Sequence, residues 1–219
     1  LNKLSSFDYD NISCWEVAES FNKAQIEWVR RQVLGANQRK QGDASSDIFI
    51  DDLQNLLSDV PLKGKEIENY FETEEVPENY LYRELLRVNF NKDCCDNSPA
   101  KVFLADSENL DDLLVDPERK PSFEWMETFC IMINNKFRIY FDDFHIIDPV
   151  LYYYRKPRKV EFLNCPDIAT GNIITVDVTS EFKDDIVEII IDEAVAILSG
   201  DIENFNQVQR NKNNANINT

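Results

Sequence analysis

The feature that most constrains this chain is a change of hydrophobic period within residues 151–198. Its first part, Leu151-Tyr-Tyr-Tyr-Arg-Lys-Pro157, is rich in aromatic residues and predicts the last strand of a β region, which the proline shortens or places at an edge. Its second part, residues 182–198, is apolar over more than one helical face. The fold therefore needs a sheet and a helical layer, and this helix should be deeply packed or wedged between partners.

A second helix is predicted near the N-terminus, over residues 13–34. Phe21 and Trp28 belong to an apolar stripe with helical spacing, and Ser13 with Glu16 has the spacing of a capping box. At the start of the later helix, Thr179 or Ser180 is the expected N-cap. These two helices would come together from opposite ends of the chain.

The region between the helices has strand signals. The clearest is a hairpin, residues 129–133 and 136–141, around Asn134-Asn135, because asparagine tolerates the positive φ angles of a type I′ turn. Apolar and polar residues alternate from Leu86 to Phe90, as on a half-buried strand. Further short strands are predicted at 67–71, 101–104 and 173–178, a polar loop at 91–100 and helical turns at 53–57 and 107–114.

Together these signals predict an α+β fold in which the N- and C-terminal helices form a helical bundle with an inserted antiparallel β region. The predicted divisions are a flexible arm (1–12), a helical domain (13–60 and 179–208), an inserted β-rich domain (61–178) and a disordered tail (209–219).

The charge excludes one broad class of function. With 41 acidic against 23 basic residues the formal charge is −18, which repels phosphate backbones and argues against sequence-specific nucleic-acid binding. A negative wall is compatible with DNA that passes by without sticking. One run opposes this charge: Arg155, Lys156, Arg158 and Lys159. It is either a solvated edge or a contact for phosphates or an acidic partner surface.

Neither membrane insertion nor secretion is expected. No apolar run reaches the length of a membrane span, and the first residues lack a signal peptide's apolar stretch, so a soluble protein made inside the cell is the expectation. The five cysteines form no CxxC pair, which predicts reduced, mostly core-filling thiols. A vicinal disulfide between Cys94 and Cys95 is the alternative, although such bonds are rare.

Candidate chemistry is sparse. His145, the single histidine, is flanked by strand residues and is better interpreted as a packed or surface group than as a base. No zinc cluster or nucleotide-binding motif is present, so no cofactor is expected. Among the acidic pairs, Asp142-Asp143 after the hairpin is the best candidate for a cation site. A carboxylate-dependent metal enzyme using this pair is therefore one functional hypothesis.

Five stretches carry a resemblance to a known family. They are Phe21-Asn-Lys-Ala-Gln-Ile-Glu-Trp-Val29, Val76-Pro-Glu-Asn-Tyr-Leu-Tyr82, Asp116-Pro-Glu-Arg-Lys-Pro-Ser122, Leu151-Tyr-Tyr-Tyr-Arg-Lys-Pro157 and Glu181-Phe-Lys-Asp-Asp-Ile-Val-Glu-Ile189. In this order and spacing they resemble the neck, or head-to-tail connector ring, proteins of crAss-like tailed bacteriophages. The layout is also similar to that of podovirus tail adaptors. The pattern covers residues 13–200, and the cysteine-rich loop at 91–98 departs from it.

The resemblance implies a structural virion protein without catalytic residues. It would form a homo-oligomeric, dodecameric ring in the neck, assembled in the host cytoplasm, with the portal protein, an adjacent neck ring or tail proteins as partners. DNA would pass through its channel. The alternative within this class is another viral structural or cargo protein. The residues expected at subunit or partner interfaces are Arg155, Lys156, Arg158, Lys159, Ile190, Ile197 and Phe205.

Overall fold

The computed structural model describes residues 12–33, 53–92, 95–167 and 170–201. Three α-helices lie in these ranges: α1 (Cys14–Val33), α2 (Leu110–Val115) and α3 (Asp184–Asp201). The strands are β1 (Leu57–Pro61), β2 (Gly64–Ile67), β3 (Tyr70–Thr73), β4 (Tyr80–Lys92), β5 (Cys95–Leu104), β6 (Glu127–Ile133), β7 (Lys136–Tyr140) and β8 (His145–Arg155). None of the described helices is both long enough and apolar enough to cross a membrane.

The chain divides into two compact units. The sheet unit comprises Leu57–Arg155, and the helical unit comprises the described residues up to Leu56 together with those from Lys156 onwards. The division thus falls at 56/57 and 155/156. The described residues within 156–178, which we predicted from the sequence to belong to the β-rich domain, group with the helices. The predicted domain limits otherwise stay predictions.

The sheet unit is a single eight-stranded sheet in the order β1-β8-β4-β5-β6-β7-β3-β2. Its neighbours are antiparallel except β5 and β6, which are parallel and are connected through α2. The two edge strands, β1 and β2, are separated along the chain by Leu62 and Lys63 alone. Because the three residue steps from Pro61 to Gly64 span at most about 10 Å, this connection keeps the two edges close, as the curl of the sheet requires.

The curled sheet encloses one apolar core. Leu86, Val88 and Phe90 of β4 point into it, which confirms the alternation predicted there. Phe90 contacts the Phe144 ring at a centroid distance of 4.0 Å and the Phe123 ring at 6.3 Å. The inner face of the sheet therefore holds most of the apolar area that stabilises this unit.

The outer face is covered where α2 crosses it. Phe129, Ile131 and Tyr140 form a second cluster there, against Leu110 and Leu113 of α2. Phe129 and Ile131 of β6 are buried on this side and Cys130 is buried on the other. This double coverage explains why β6 has a continuous apolar run and no alternation.

The predicted hairpin is confirmed. Cys130 pairs with Ile139, and Asn134 and Asn135 have φ angles of 50° and 59°, as a type I′ turn requires. A second hairpin was not predicted as such: the weak strand expected at 67–71 is two strands, β2 and β3, with Glu68 at φ 49° in the turn.

Of the other local predictions, some are confirmed and others are wrong. The strand at 101–104 is confirmed, but it belongs to β5, which begins at Cys95, so the polar loop expected at 91–100 is wrong. The helical turns predicted at 107–114 are confirmed, with the last turn ending at Val115. At 53–57 a 3-10 turn ends at Leu56 and Leu57 already belongs to β1. At 173–178 only isolated bridges occur, from Val178 to Glu161 and from Ile173 to Pro166.

The predicted fold class is wrong. The described chain is dominated by the curled, mixed eight-stranded sheet, and it is not a helical bundle with a small antiparallel insertion. The fold class was mispredicted because the number of strands was underestimated. Short strands and β5 give weak local signals, and two long helices are too few to form a bundle that carries the main core. Within the helical unit, α1 and α3 pack on each other, and α1 also bonds the irregular segment 156–183.

In the helical unit, α1 packs on α3 and fixes the segment 156–183 through polar side chains. The Asn22 side chain bonds both backbone groups of Val160, accepting from its N–H at 2.8 Å and donating to its carbonyl at 3.1 Å. The buried Gln25 amide donates to the Arg158 carbonyl at 3.3 Å and accepts from Ser180 Oγ at 3.0 Å. These side-chain bonds fix the position of the segment 156–183 and satisfy backbone groups that no regular strand or helix pairs there.

A disulfide adds a covalent link to the same contact. Cys14, at the start of α1, is bonded to Cys165 across 151 residues of sequence. The expectation of reduced thiols is therefore wrong for this pair, because an odd cysteine count does not prevent two of the five from pairing. The side chains of Cys94 and Cys95 lie outside the described residues, so the vicinal alternative stays untested.

The helix starts follow different rules. At α1, the Glu16 carboxylate accepts from the Ser13 backbone N–H at 2.8 Å and from Ser13 Oγ at 2.7 Å, so this half of the capping box is confirmed. These hydrogen bonds lower the pKa of Glu16. At α3 the cap prediction is wrong, since the helix begins at Asp184 and Ser180 accepts instead from the Phe182 N–H at 3.4 Å.

The core assignment can be tested by a pair of phenylalanine truncations. Phe90→Ala removes a ring that is 0% exposed, and we expect it to cost about 3–5 kcal/mol of unfolding free energy. Phe103→Ala, at an exposed position of β5, is the control and should cost less than about 0.5 kcal/mol. Urea unfolding followed by circular dichroism measures both. Equal losses would contradict the inside and outside assignment of the sheet.

Candidate functional site

The acidic pair proposed as a cation site is ion-paired. Asp142 Oδ2 lies 2.8 Å from Lys120 Nζ, and Asp143 is paired with Lys92. The hydrogen bond from Lys92 lowers the pKa of Asp143, and the one to Asp142 raises the pKa of Lys120. Among the described residues, no group of three or more His, Cys, Asp or Glu side chains is placed to hold a metal. Each carboxylate therefore already has a cation of its own.

Neither the single histidine nor the free cysteine of the described residues lies in an environment typical of an active site. His145 is a surface residue whose Nδ1 lies 3.0 Å from Glu66 Oε2. Cys130 is the free cysteine of the described residues and is 0% exposed. Burial raises the pKa of the Cys130 thiol to about 12, which keeps it protonated and removes it as a nucleophile near neutral pH.

The expected interface residues are placed in different surroundings. Lys156, Arg158 and Lys159 are exposed, and Arg155 at the end of β8 is half-buried. The backbone of Arg158 is bonded within the helical unit, since its N–H donates to Glu181 Oε1 at 2.8 Å and its carbonyl accepts from Gln25. Neither of these two bonds involves the Arg158 side chain. The cationic run thus lies on the surface, where a partner can reach it.

The apolar residues expected at interfaces differ in how exposed their side chains are, where the structure describes them. Ile190 is 0% exposed and belongs to the internal packing of α3, so no partner reaches its side chain in this conformation. Ile197 is half-buried. Phe205 lies outside the described residues. The assignment of all these residues to an interface stays a prediction.

The helical unit contains an open apolar groove of about 510 Å³. Its walls come from α1, from α3 and from two parts of the irregular segment, 160–162 and 177–180. The bonds of Asn22 to Val160 and of Ser180 to Gln25 hold both parts of that segment against α1. The apolar lining of the groove includes Phe21, Val160, Phe162, Val187, Ile191 and Leu198.

The sheet unit presents a second apolar surface, which we call the Trp125 surface. It consists of Phe103 and Leu104 at the end of β5 and Trp125 in the loop before β6, beside a cavity of about 380 Å³. Trp125 is 77% exposed. Glu118, Arg119 and Lys120 contribute charges of both signs to the same cavity.

The loop that carries Trp125 is held in place. Ser122 and Glu127 exchange two backbone hydrogen bonds, of 3.0 and 3.2 Å, across its base. The Met126 carbonyl accepts from the Lys101 N–H at 2.9 Å, and Ser122 Oγ accepts from the Trp125 N–H at 3.3 Å. An exposed tryptophan on a bonded loop loses little conformational entropy on docking, which is the character of an interface anchor.

The cationic run was visible in the sequence, but neither of the apolar surfaces was. Segment residues near the groove are bonded by Asn22 and Gln25 of α1 across more than 130 residues of sequence, and no local pattern reports such contacts. The Trp125 surface had no clear local signal. Trp125 stands between Phe123 and Met126, which pack against the inner core, and the sequence does not distinguish the exposed aromatic residue from these two.

No family model matches this sequence, and a search of curated proteins finds no match to it.

The state of Cys130 gives a testable pH dependence. Because its folded pKa of about 12 is above the ordinary thiol value of 9.0, the unfolded chain loses this proton first as the pH rises. Stability from this group is therefore complete below pH 9 and falls above it. We expect iodoacetamide to leave Cys130 unmodified at pH 8.5 in the folded chain and to modify it in urea, as measured by peptide mass mapping. Rapid labelling of folded Cys130 would contradict its burial.

Proposed function

We propose that this protein is a structural ring subunit of the neck of a tailed bacteriophage, which joins the portal to the tail and continues the DNA channel. The observation that carries a role in assembly is the Trp125 surface. A tryptophan that is 77% exposed beside Phe103 and Leu104 is an apolar patch of the kind found at protein interfaces. The backbone bonds across its loop hold it ready for docking.

The proposed occupant of this surface is a second copy of the same chain. In a ring, each copy uses two different surfaces, one for each neighbour, so a patch need not be complementary to itself. The charges favour such contacts. A chain with a net charge of −18 offers acidic surface to the exposed cations Lys156, Arg158 and Lys159 of its neighbour. The same charge keeps DNA from adhering to a channel wall.

The identity of the ring comes from the sequence resemblance. Its stretches lie in α1, in the turn before β4, in the turns before β6, at the end of β8 and at the start of α3. Several of these stretches therefore lie at the boundary between a helix or strand and a loop. The corrected fold class removes the inserted-bundle layout as support, and the proposal rests on these stretches, the Trp125 surface and the cationic run.

Charge reversal tests the cationic run. We expect Arg158→Glu with Lys159→Glu to weaken self-association at least about tenfold, because the acidic neighbour would then be repelled. Lys63→Glu with Lys65→Glu makes the same change in net charge at two exposed positions of the sheet unit and is the control. Sedimentation velocity over a range of concentrations measures both. Equal effects of the two double substitutions would indicate that the cationic run is only a solvated edge and makes no contact between copies.

Truncation of the anchor tests the Trp125 surface separately. Trp125→Ala should weaken association by about 2 kcal/mol or more, as expected of an interface tryptophan. Its unfolding free energy should change by less than about 0.5 kcal/mol, since the ring contributes little to the folded chain. Val115→Ala, at a position that is also mostly exposed but does not line that cavity, is the matched control. Unchanged association of the Trp125→Ala variant would remove the main support for the proposal.

A further inference from the structure

The groove of the helical unit has a length that can be compared with the chain that follows it. Along α3 its wall runs from Val187 to Leu198, which is about 17 Å at the rise of an α-helix. The last described residue, Asp201, ends α3 three positions after Leu198. Eighteen residues follow, and the first seven of them can extend to about 23 Å. The chain is thus long enough to turn back and cover the groove.

The composition of these residues fits the groove. Ile202, Phe205 and Val208 recur at intervals of three, and the residues between them are polar or acidic. An apolar groove excludes water best when its occupant supplies apolar side chains, and a phenylalanine contributes the largest area of the three. The polar neighbours would stay at the open side of the groove, which is exposed to water.

The charges fit the same arrangement. After Val208 the segment contains Arg210 and Lys212, in a chain that is otherwise strongly acidic. A segment that turns back at the end of α3 runs towards the start of that helix. Asp184 and Asp185 lie in the first turn there, and both are exposed. The cations would therefore approach the acidic first turn of α3, which lies about one turn beyond the lining residue Val187.

We propose that residues 202–208 of the same chain occupy this groove, with Phe205 as the central anchor. The segment is attached within a few residues of the groove wall, so its effective concentration at the groove greatly exceeds that of a second copy. Occupancy would cover the apolar groove, whereas the Trp125 surface of the sheet unit would stay exposed. This inference does not rest on the proposed ring function.

Photo-cross-linking in the full-length chain tests the proposal. With p-benzoylphenylalanine in place of Phe205, irradiation should produce cross-links to Phe21, Val187 or Ile191 within one chain, identified by peptide mass spectrometry. The same analogue in place of Asn216 gives the background. Cross-links restricted to residues outside the groove, or no signal above that background, would overturn the proposal. Cross-links to the groove of a second chain would overturn its intramolecular form.

Two matched substitutions make the test specific for the groove. Ile191→Asp changes a half-buried lining residue and should abolish the groove cross-links, whereas Ile189→Asp changes a half-buried residue of α3 that does not line the groove and should leave them. Loss of the cross-links in both variants would contradict the proposal. If Ile191→Asp does not fold, by circular dichroism, dye binding replaces it. Phe205→Asp should then raise the fluorescence of an apolar-surface dye above that of Asn206→Asp, and equal fluorescence would contradict occupancy.

Discussion

The pairing of β4 with β8 is the interaction on which the sheet unit depends. β8 lies between β1 and β4, and β4 connects β8 to β5. Without this pairing, β1 and β8 would separate from the other six strands, and the core would open. Leu86 and Leu151 lie opposite each other in the pairing, and both side chains are fully buried. Because the two strands are far apart in sequence, a long loop must close before their contacts form, and the burial of these side chains has to offset that entropy.

Local patterns predicted those parts of the sheet whose cause is local. The alternation at Leu86, Val88 and Phe90 reflects one buried face, and Asn134-Asn135 reflects the φ angles of a two-residue turn. Pro99 misled the prediction of β5. It pairs with Asn89 on the β4 side, but β5 pairs with β6 only from Lys101 onwards. Because Pro99 precedes the part of β5 that pairs with β6, its missing N–H removes no hydrogen bond between β5 and β6.

The fold class and the candidate surfaces were beyond prediction because their causes are distant in sequence. The broad apolar surface of α3 correctly indicated deep packing, yet α1 covers only part of it and the groove remains. Cys14 and Cys165 pair across most of the chain, and Asn22 bonds Val160 across 138 residues. Spacing along the chain cannot report such partners. By contrast, the cationic run was visible in the sequence because its charge contrasts with its surroundings.

We propose that assembly uses these surfaces and that the acidic pair has no chemical role, since its carboxylates are paired with Lys92 and Lys120. In this proposal, copies of the chain associate into closed rings through contacts that include opposite charges. Negative-stain electron microscopy combined with mass photometry, at low and at high ionic strength, shows whether such rings form. We expect rings of one copy number at low ionic strength that dissociate as salt screens the contacts. A chain that is monomeric at every concentration and at both ionic strengths would contradict it.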